Sequence, residues 1–147
     1  MHAQRMNYRA ASPATYEAIA AAEAHIRKCG LEHSLIELVK MRASQINHCA
    51  YCLDRHSRDA REHGETEQRL YLLNAWEEAS CYTPRERAAL GWTDSLTLLP
   101  TTGAPDADYE ALKGHFTEKE VVDLTVLIGL INLWNRIDVG FRLQHPK

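Results

Sequence analysis

A long apolar segment near the C-terminus constrains the fold more than any other part of this sequence. It opens with Thr117-Glu-Lys-Glu120, a capping box in which the threonine and glutamate side chains satisfy free backbone N–H groups at the helix start. Apolar residues then recur at spacings of three and four, the period of an α-helix. These positions are Val121, Leu124, Leu127, Ile128, Ile131, Trp134 and Ile137. A helix that is apolar around most of its circumference is predicted to lie at the centre of a helical core and to contact a second subunit.

The rest of the chain carries the same kind of helix signals. Serine or threonine before proline marks helix starts, and glycine marks two of the ends. We predict helices from Ser12-Pro13 to Gly30, Leu31 to Ile46, Cys49 to Gly64, Thr66 to Leu73, Thr83 to Pro100, and Asp106 or Asp108 to Lys113. Asn47-His48 is a predicted break, and residues 101–106 are a predicted loop. No segment shows the two-residue alternation of a strand, so the predicted fold class is all-α.

Length and charge limit the classes of function. At 147 residues the chain fits a single domain spanning residues 1–147. A formal net charge of −3 gives no reason to expect nucleic acid or a membrane surface as a partner, so small molecules and other proteins are the expected partners. The N-terminus has no apolar signal segment, and Asp123, Asn132 and Asn135 interrupt the long apolar helix. We therefore expect a cytoplasmic protein without a membrane span.

The richest chemistry lies around the sequence Cys49-Ala-Tyr-Cys52, with His56 four residues after the second cysteine. On a helix that begins near Cys49, all three side chains fall on one face. The first turn of a helix favours a thiolate over a thiol, and a nearby imidazole can accept the proton. Glu37 lies on the preceding helix. An antiparallel hairpin with its break at Asn47 would bring that carboxylate back toward the cysteines.

Several interpretations of the cysteine pair remain open at this point. A structural zinc needs four ligands, so the pair and His56 would have to recruit His48, His33 or a more distant residue. Covalent haem needs a histidine directly after the second cysteine, where Leu53 stands, and a thioredoxin-like module needs strands around the motif. Two plainly buried thiols would leave the added histidine unexplained. A redox-active dithiol accounts for the most residues, whereas Cys29 and Cys81 are interpreted as packing residues.

Glu37, Cys49, Cys52 and His56 stand in the setting Leu-x-Glu-Leu-Val-Lys-x-Arg-Ala-Ser-Gln-Ile-Asn-x-Cys-x-Tyr-Cys-x-Asp-x-His. This motif resembles the core motif of the alkylhydroperoxidase D (AhpD)-like branch of the carboxymuconolactone decarboxylase family. The likeness continues through Ala75-Trp76, residues 86–90 and residues 132–136, and so covers roughly residues 8 to 142.

The resemblance implies an all-helical fold, assembly into homo-oligomeric trimers or hexamers, and antioxidant peroxidase activity without a bound cofactor. It implies that Cys52 is the peroxidatic thiol, activated by His56 and oxidised by a hydroperoxide to a sulfenic acid. Cys49, assisted by Glu37, would then close a Cys49–Cys52 disulfide. An external dithiol, which in the family can be a lipoyl-bearing protein, would reduce that disulfide.

Two positions depart from the family pattern. Tyr51 stands between the cysteines where the best-known peroxidases of the family have a histidine, and His48 precedes Cys49 where a small residue is common. The first change removes a proton-handling group, and the second adds one beside the resolving thiol. The alternative function is therefore a redox sensor or dithiol–disulfide oxidoreductase with little peroxidase turnover.

Overall fold

Nine α-helices and one 3₁₀ turn make up the secondary structure of residues 3–146, the part of the chain that this computed structural model describes. Met1, His2 and Lys147, at the ends of the predicted domain, lie outside the described residues. The helices are α1 (Tyr8–Ala11), α2 (Pro13–Ile26), α3 (His33–Ile46), α4 (Ala50–Glu62), α5 (Glu67–Leu72), α6 (Pro84–Thr97), α7 (Leu99–Thr102), α8 (Asp106–Lys113) and α9 (Glu118–Phe141), and the 3₁₀ turn is Leu73–Ala75. Residues 3–146 contain no strand, which confirms the all-α prediction.

The two capping boxes form as the sequence predicts. Thr83 and Thr117 each accept a hydrogen bond from the third helical N–H, and the glutamate at that position bonds back to the threonine N–H. The Gly64 φ of 92° is the left-handed conformation that ends a helix, and α4 stops at that point. These starts and stops depend on contacts within one turn, which is why the sequence alone predicts them.

Some helix boundaries differ from the predicted ones. The helix from Ser12 was expected to reach Gly30, but α2 already ends at Ile26. The helix from Thr83 does not continue to Pro100: α6 ends at Thr97, and the proline lies in the first turn of the short α7, where a missing N–H costs nothing. The predicted loop at 101–106 therefore begins only at Gly103. Helix α1 was not predicted at all.

The core forms where α9 packs against α2, α3 and α6. Its buried face carries Leu124, Leu127, Ile128 and Ile131, each at most 1% exposed. Burying an aliphatic side chain of this size contributes about 1.5–3 kcal/mol to folding, so this stripe is a major source of stability. Helix α3 contacts α4 and α6 as well as α9. The two helices that carry the cysteine motif are thus anchored on the central helix.

A polar network ties the turn between α3 and α4 to α9. The Asn47 side-chain amide donates to Oδ1 of Asn132 and to Oδ1 of Asn135, both at 2.9 Å. Asn135 Nδ2 donates to Ser44 Oγ, and Asn132 Nδ2 donates to Thr97 Oγ1, both at 3.0 Å. Buried amides without partners would be costly, so these bonds fix the position of the turn relative to α9.

By length and composition alone, α9 is long and apolar enough to cross a membrane, and it is the one such helix in residues 3–146. Its buried positions include Asn132, Asn135 and Asp138, and each of these side chains has a polar partner inside the protein. That is the packing of a core helix. The opposite side of α9 exposes Val122, Val126 and other apolar residues.

The network predicts a specific stability loss. We expect Asn135→Ala to lower the free energy of unfolding by about 2 kcal/mol, because it removes two hydrogen bonds and leaves buried polar groups unpaired. Urea unfolding of the variant and the wild type measures this difference. Asn74→Ala is the matched control: its exposed side chain accepts a bond from Arg42 at the surface, so its loss is expected to stay within about 0.5 kcal/mol. Equal losses in the two variants would contradict the assigned role.

Candidate active site

The turn between α3 and α4 places Cys49 at the start of α4. His48 is exposed and takes the left-handed conformation, with φ of 53°. Cys49 is the N-cap residue: its Sγ accepts the Cys52 N–H at 3.3 Å, and its own N–H donates to the Ser44 carbonyl at 3.0 Å. Both sulfurs therefore lie at the positive end of the helix dipole, as the sequence predicted.

Cys49 and Cys52 are joined by a disulfide in this structure, with a Cα–Cα distance of 5.3 Å. Both residues are almost fully buried, at 1% and 2% exposure. Cys29 and Cys81 are partly exposed and lie outside any disulfide, which is consistent with the packing role predicted for them. Because both sulfurs lie in the first turn of α4, the pair can switch between dithiol and disulfide without displacing that helix far.

Glu37 and His56 form a buried pair between α3 and α4. The Glu37 Oε2 to His56 Nδ1 distance is 2.8 Å, and the two residues are 1% and 6% exposed. Burial raises the pKa of Glu37, but the hydrogen bond and charge of His56, with smaller effects from Lys40 and Arg27, outweigh it and hold that pKa below its usual value. The hairpin thus brings Glu37 to His56. Assistance to Cys49 by Glu37 stays a prediction.

Asp138 on α9 is a site residue that sequence reasoning did not identify. Its Oδ2 lies 3.5 Å from Cys52 Sγ, and its Oδ1 accepts the Tyr8 hydroxyl at 3.3 Å. Asp138 is 5% exposed, and burial raises its pKa to about 6 even though Tyr8, Arg9 and Arg55 act to lower it. In the sequence, Asp138 shows only as an acidic residue near the end of an apolar helix. Its partner lies 86 residues away, so no local pattern could connect them.

A cavity of about 260 Å³ leads to Cys52 and His56. Cys49 is not among the described residues that line it. Tyr8, Tyr16, Tyr51 and Trp134 supply aromatic walls. Cavities of this kind, mostly apolar with a few convergent polar groups, are typical of small-molecule sites.

The cationic groups of the cavity are unequally paired. Lys40 is 1% exposed and forms a buried ion pair with Glu23, while Arg27, just after α2, and Arg55 each contact an acidic residue four positions away. Arg9 lies over the Tyr16 ring, 4.9 Å from its centroid. The cavity therefore offers positive charge beside aromatic surface.

In two clusters, three side chains of types that can ligate a metal have their ligand atoms within 4.8 Å of one another. They are Cys49, Cys52 and Asp138, and Glu37, His56 and Asp59. A structural zinc site has four ligands, and in the first cluster the sulfurs are bonded to each other. His48 and His33, the extra ligands that a zinc site was expected to recruit, belong to neither cluster. Metal analysis of the reduced protein tests the zinc hypothesis.

His33 at the start of α3 contacts His63, which lies just after α4. Their rings stack with centroids 3.7 Å apart, and His63 Nδ1 lies 2.7 Å from the Asp59 carbonyl oxygen. The hairpin brings the start of α3 beside the end of α4, a contact that sequence spacing does not show.

The profile of the Carboxymuconolactone decarboxylase family matches residues 12–95, more than half of the chain and all of the α3–α4 motif. The chain belongs to this family. It is 40% identical to the uncharacterized protein YdfG of Bacillus subtilis, over 93% of both chains. It is 29% identical to the uncharacterized protein YnjA of Escherichia coli over 76% of this chain, a match that spans 61% of YnjA.

Solved structures agree with this assignment. A protein of unknown function from Agrobacterium tumefaciens, ATU0492, whose name relates it to the antioxidant defence protein AhpD, superposes with a TM-score of 0.96 at 49% identity, over 99% of both chains. An AhpD core protein from Ralstonia eutropha shares the fold at 22% identity, with a TM-score of 0.83 over 95% of this chain and 75% of that one. The debrominase Bmp8 shares it at 17% identity, with a TM-score of 0.84 over 93% and 74%. This chain is thus an AhpD-like member of the carboxymuconolactone decarboxylase family, and its cysteine pair supports a redox role.

The raised pKa of Asp138 predicts a pH-dependent stability change. Ionisation of this buried carboxyl opposes folding, so the cost is absent below the unfolded pKa near 3.8 and complete above about 6. The rise in the pKa of Asp138 corresponds to a loss of about 3 kcal/mol in the free energy of unfolding once the carboxyl is ionised. We expect Asp138→Asn to stabilise the oxidised protein above about pH 7 and to lose this advantage near pH 4, as measured by thermal unfolding across that range. Asp123→Asn, on the same helix, is the control. A change that does not vary with pH would show that burial of the Asp138 charge is not its cause.

Proposed function

We propose that this protein is a thiol-dependent peroxidase, an oxidoreductase of the alkylhydroperoxidase type, that reduces hydroperoxides with its Cys49–Cys52 pair. The observation that carries the proposal is the unequal access of the two sulfurs. Cys52 lines the cavity together with His56, whereas Cys49 lies outside the described lining and is bonded to Cys52. A substrate in the cavity can contact the sulfur of Cys52. The sulfur of Cys49 lies next to it, in position to form a disulfide after Cys52 is oxidised.

In the peroxide step, the Cys52 thiolate attacks the terminal oxygen of the hydroperoxide. The sulfur–oxygen bond forms with the thiolate electron pair, and the oxygen–oxygen bond breaks with its pair leaving on the alkoxide. The sulfur is oxidised to a sulfenic acid, and the peroxide is reduced to an alcohol once its alkoxide takes a proton. The cavity volume of about 260 Å³ suits a small organic hydroperoxide.

Resolution and reduction complete the cycle. The Cys49 thiol attacks the sulfur of the Cys52 sulfenic acid, the disulfide forms, and water leaves. An external dithiol then exchanges with the disulfide, returning two protons and becoming oxidised itself. Among dithiols, the lipoyl group of a carrier protein is the reductant class that the family resemblance favours. No bound cofactor enters this chemistry.

Glu37 contributes through His56 in this proposal. Its contact with Nδ1 leaves Nε2 as the imidazole nitrogen available to the cavity, and it holds the ring in one orientation. Held in this orientation on the cavity wall, the imidazole is placed to exchange a proton with a group inside the cavity. In this proposal, Glu37 acts on the peroxide step through His56, and not directly on Cys49 as the family resemblance implied.

A second candidate function follows from Tyr51, which lines the cavity in place of a histidine. Without that proton-handling group, the pair could serve as a redox sensor or as a dithiol–disulfide oxidoreductase that oxidises once with peroxide and turns over slowly. Comparing steady-state turnover with the rate of a single oxidation event separates this candidate from the peroxidase.

The proposed function carries expectations about assembly and location. The exposed apolar side chains of α9, including Val122, Val126 and Leu133, supply a surface for the trimer or hexamer that the resemblance implies. A cytoplasmic location would provide the dithiol reductants that the cycle consumes.

The main test is catalytic peroxide consumption with a panel of reductants that includes lipoyl domains. We expect the wild type to consume hydroperoxide in proportion to the reductant oxidised, and Cys52→Ser to lose this activity entirely because no sulfur remains at the cavity wall. Cys81→Ser is the matched control, since that cysteine lies outside the disulfide. Equal consumption by the wild type and Cys52→Ser would reject the proposed function.

The role of Glu37 is tested by the step that its loss slows. We expect Glu37→Gln to slow sulfenic acid formation at Cys52 by about tenfold or more, because the imidazole loses its charged partner. Trapping the sulfenic acid with dimedone after a peroxide pulse measures this rate, with the exposed Glu67→Gln as control. If sulfenic acid instead forms at the normal rate and accumulates, Glu37 acts on the resolving cysteine and the indirect role is wrong.

A further inference from the structure

Within residues 3–146, Asp138 is the side chain that lies at hydrogen-bond distance from the sulfur of Cys52. Its Oδ2 lies 3.5 Å from Sγ, while His56, the predicted activator, directs Nδ1 to Glu37 instead. Asp138 also lines the cavity that Cys52 lines. A carboxyl group in this position is within reach of both the sulfur and any molecule that reacts with it.

We propose that Asp138 is a catalytic residue of the peroxide step, which shares one proton with the Cys52 sulfur and gives that proton to the leaving alkoxide. This role rests on the proposed peroxidase function. In this proposal, α9 supplies the proton donor. The position between the two cysteines, where a histidine could have served, is occupied by Tyr51.

The proton balance of the step follows from the contact. In the reduced protein, the thiol with a carboxylate and the thiolate with a carboxylic acid differ only in which atom holds the proton, and both forms carry one negative charge. When the thiolate attacks the peroxide, the alkoxide forms at the cavity wall that Asp138 also lines. The carboxylic acid protonates it, the alcohol leaves, and Asp138 remains as a carboxylate. Reduction of the disulfide later returns a proton to the pair.

The surroundings of Asp138 suit a group that exchanges a proton. It is 5% exposed, and its Oδ1 accepts the Tyr8 hydroxyl, which holds the carboxyl in one orientation. Burial raises its pKa to about 6, against the opposing charges of Arg9 from α1 and Arg55 from α4. The other titratable groups that line the cavity are Tyr16 and Glu23 on α2, Arg27 just after α2, Lys40 on α3, and Tyr51 and His56 on α4. A general acid works best when its pKa lies near the operating pH, which this carboxyl approaches.

Proton sharing is tested without peroxide, in a Cys49→Ser background where Cys52 is a free thiol. The carboxylate opposes the thiolate, so Asp138→Asn is expected to speed alkylation of Cys52 by iodoacetamide severalfold near pH 7.5. Mass spectrometry of the peptide that contains Cys52 separates its alkylation from that of Cys29 and Cys81. Asp123→Asn, whose carboxylate pairs with Lys119 elsewhere on α9, is expected to leave the rate unchanged.

Proton donation is tested by turnover in the chain with both cysteines. Asp138→Asn is expected to consume peroxide at least tenfold more slowly than the wild type, and its rate is expected to lose the dependence on pH between about 5 and 7. Faster alkylation combined with slower turnover is the signature of a proton donor, because a damaged site would lose both. Slower alkylation, or turnover with an unchanged pH profile, would overturn the proposal.

The alkylation and turnover experiments distinguish a failure of the role of Asp138 from a failure of the proposed peroxidase function. A wild type that consumes no peroxide with any reductant rejects the peroxidase function and, with it, a catalytic role for Asp138. A wild type that turns over normally, paired with an Asp138→Asn variant that behaves like it in both arms, rejects the role of Asp138 alone.

Discussion

The hydrogen bonds between Asn47 and α9 are the constraint on which the site depends. They hold the α3–α4 turn against the central helix, and that turn decides where Cys49 caps α4 and where Cys52 meets Asp138. A shift of the turn by one residue would rotate α4 by about 100° and remove the sulfurs from the cavity. Buried amides tolerate such a shift poorly because each would lose a partner. The asparagines of α9 are therefore as much part of the site's construction as the cysteines.

The site contains two buried carboxyl groups in opposite electrostatic settings. Glu37 faces the imidazole of His56, and its pKa lies below the usual value, so it stays ionised and holds the ring. Asp138 faces a sulfur and a phenol, and burial raises its pKa to about 6, so it can gain and lose a proton near neutral pH. Environments that push the pKa values of two acids apart commonly assign them different tasks. Here Glu37 suits the role of a fixed negative charge, and Asp138 suits the role of a group that exchanges a proton.

Local sequence signals predicted most of the fold, and contacts distant in sequence account for the errors. The capping boxes at Thr83 and Thr117 and the glycine end of α4 are decided within one turn, so the sequence alone identifies them. The cysteine motif was also local, and its face on α4 followed from helical spacing. Asp138 and the partner of Glu37 depend instead on how three helices pack, and a single sequence offers no pattern that links residues 86 positions apart. The His33–His63 stack was missed for the same reason.

The packing of α9 also changes how the tyrosine between the cysteines should be interpreted. From the sequence, Tyr51 looks like the loss of a proton-handling group within the motif. In the structure, the carboxyl of Asp138, near the other end of the chain, lies 3.5 Å from the Cys52 sulfur, which is within hydrogen-bond distance for a sulfur atom. A site of this kind depends on which group can hold a proton beside the reacting atom, and not on the position in the sequence that supplies it. The aromatic ring is then free to form a cavity wall, and α9 contributes both the core of the fold and a titrating group of the site.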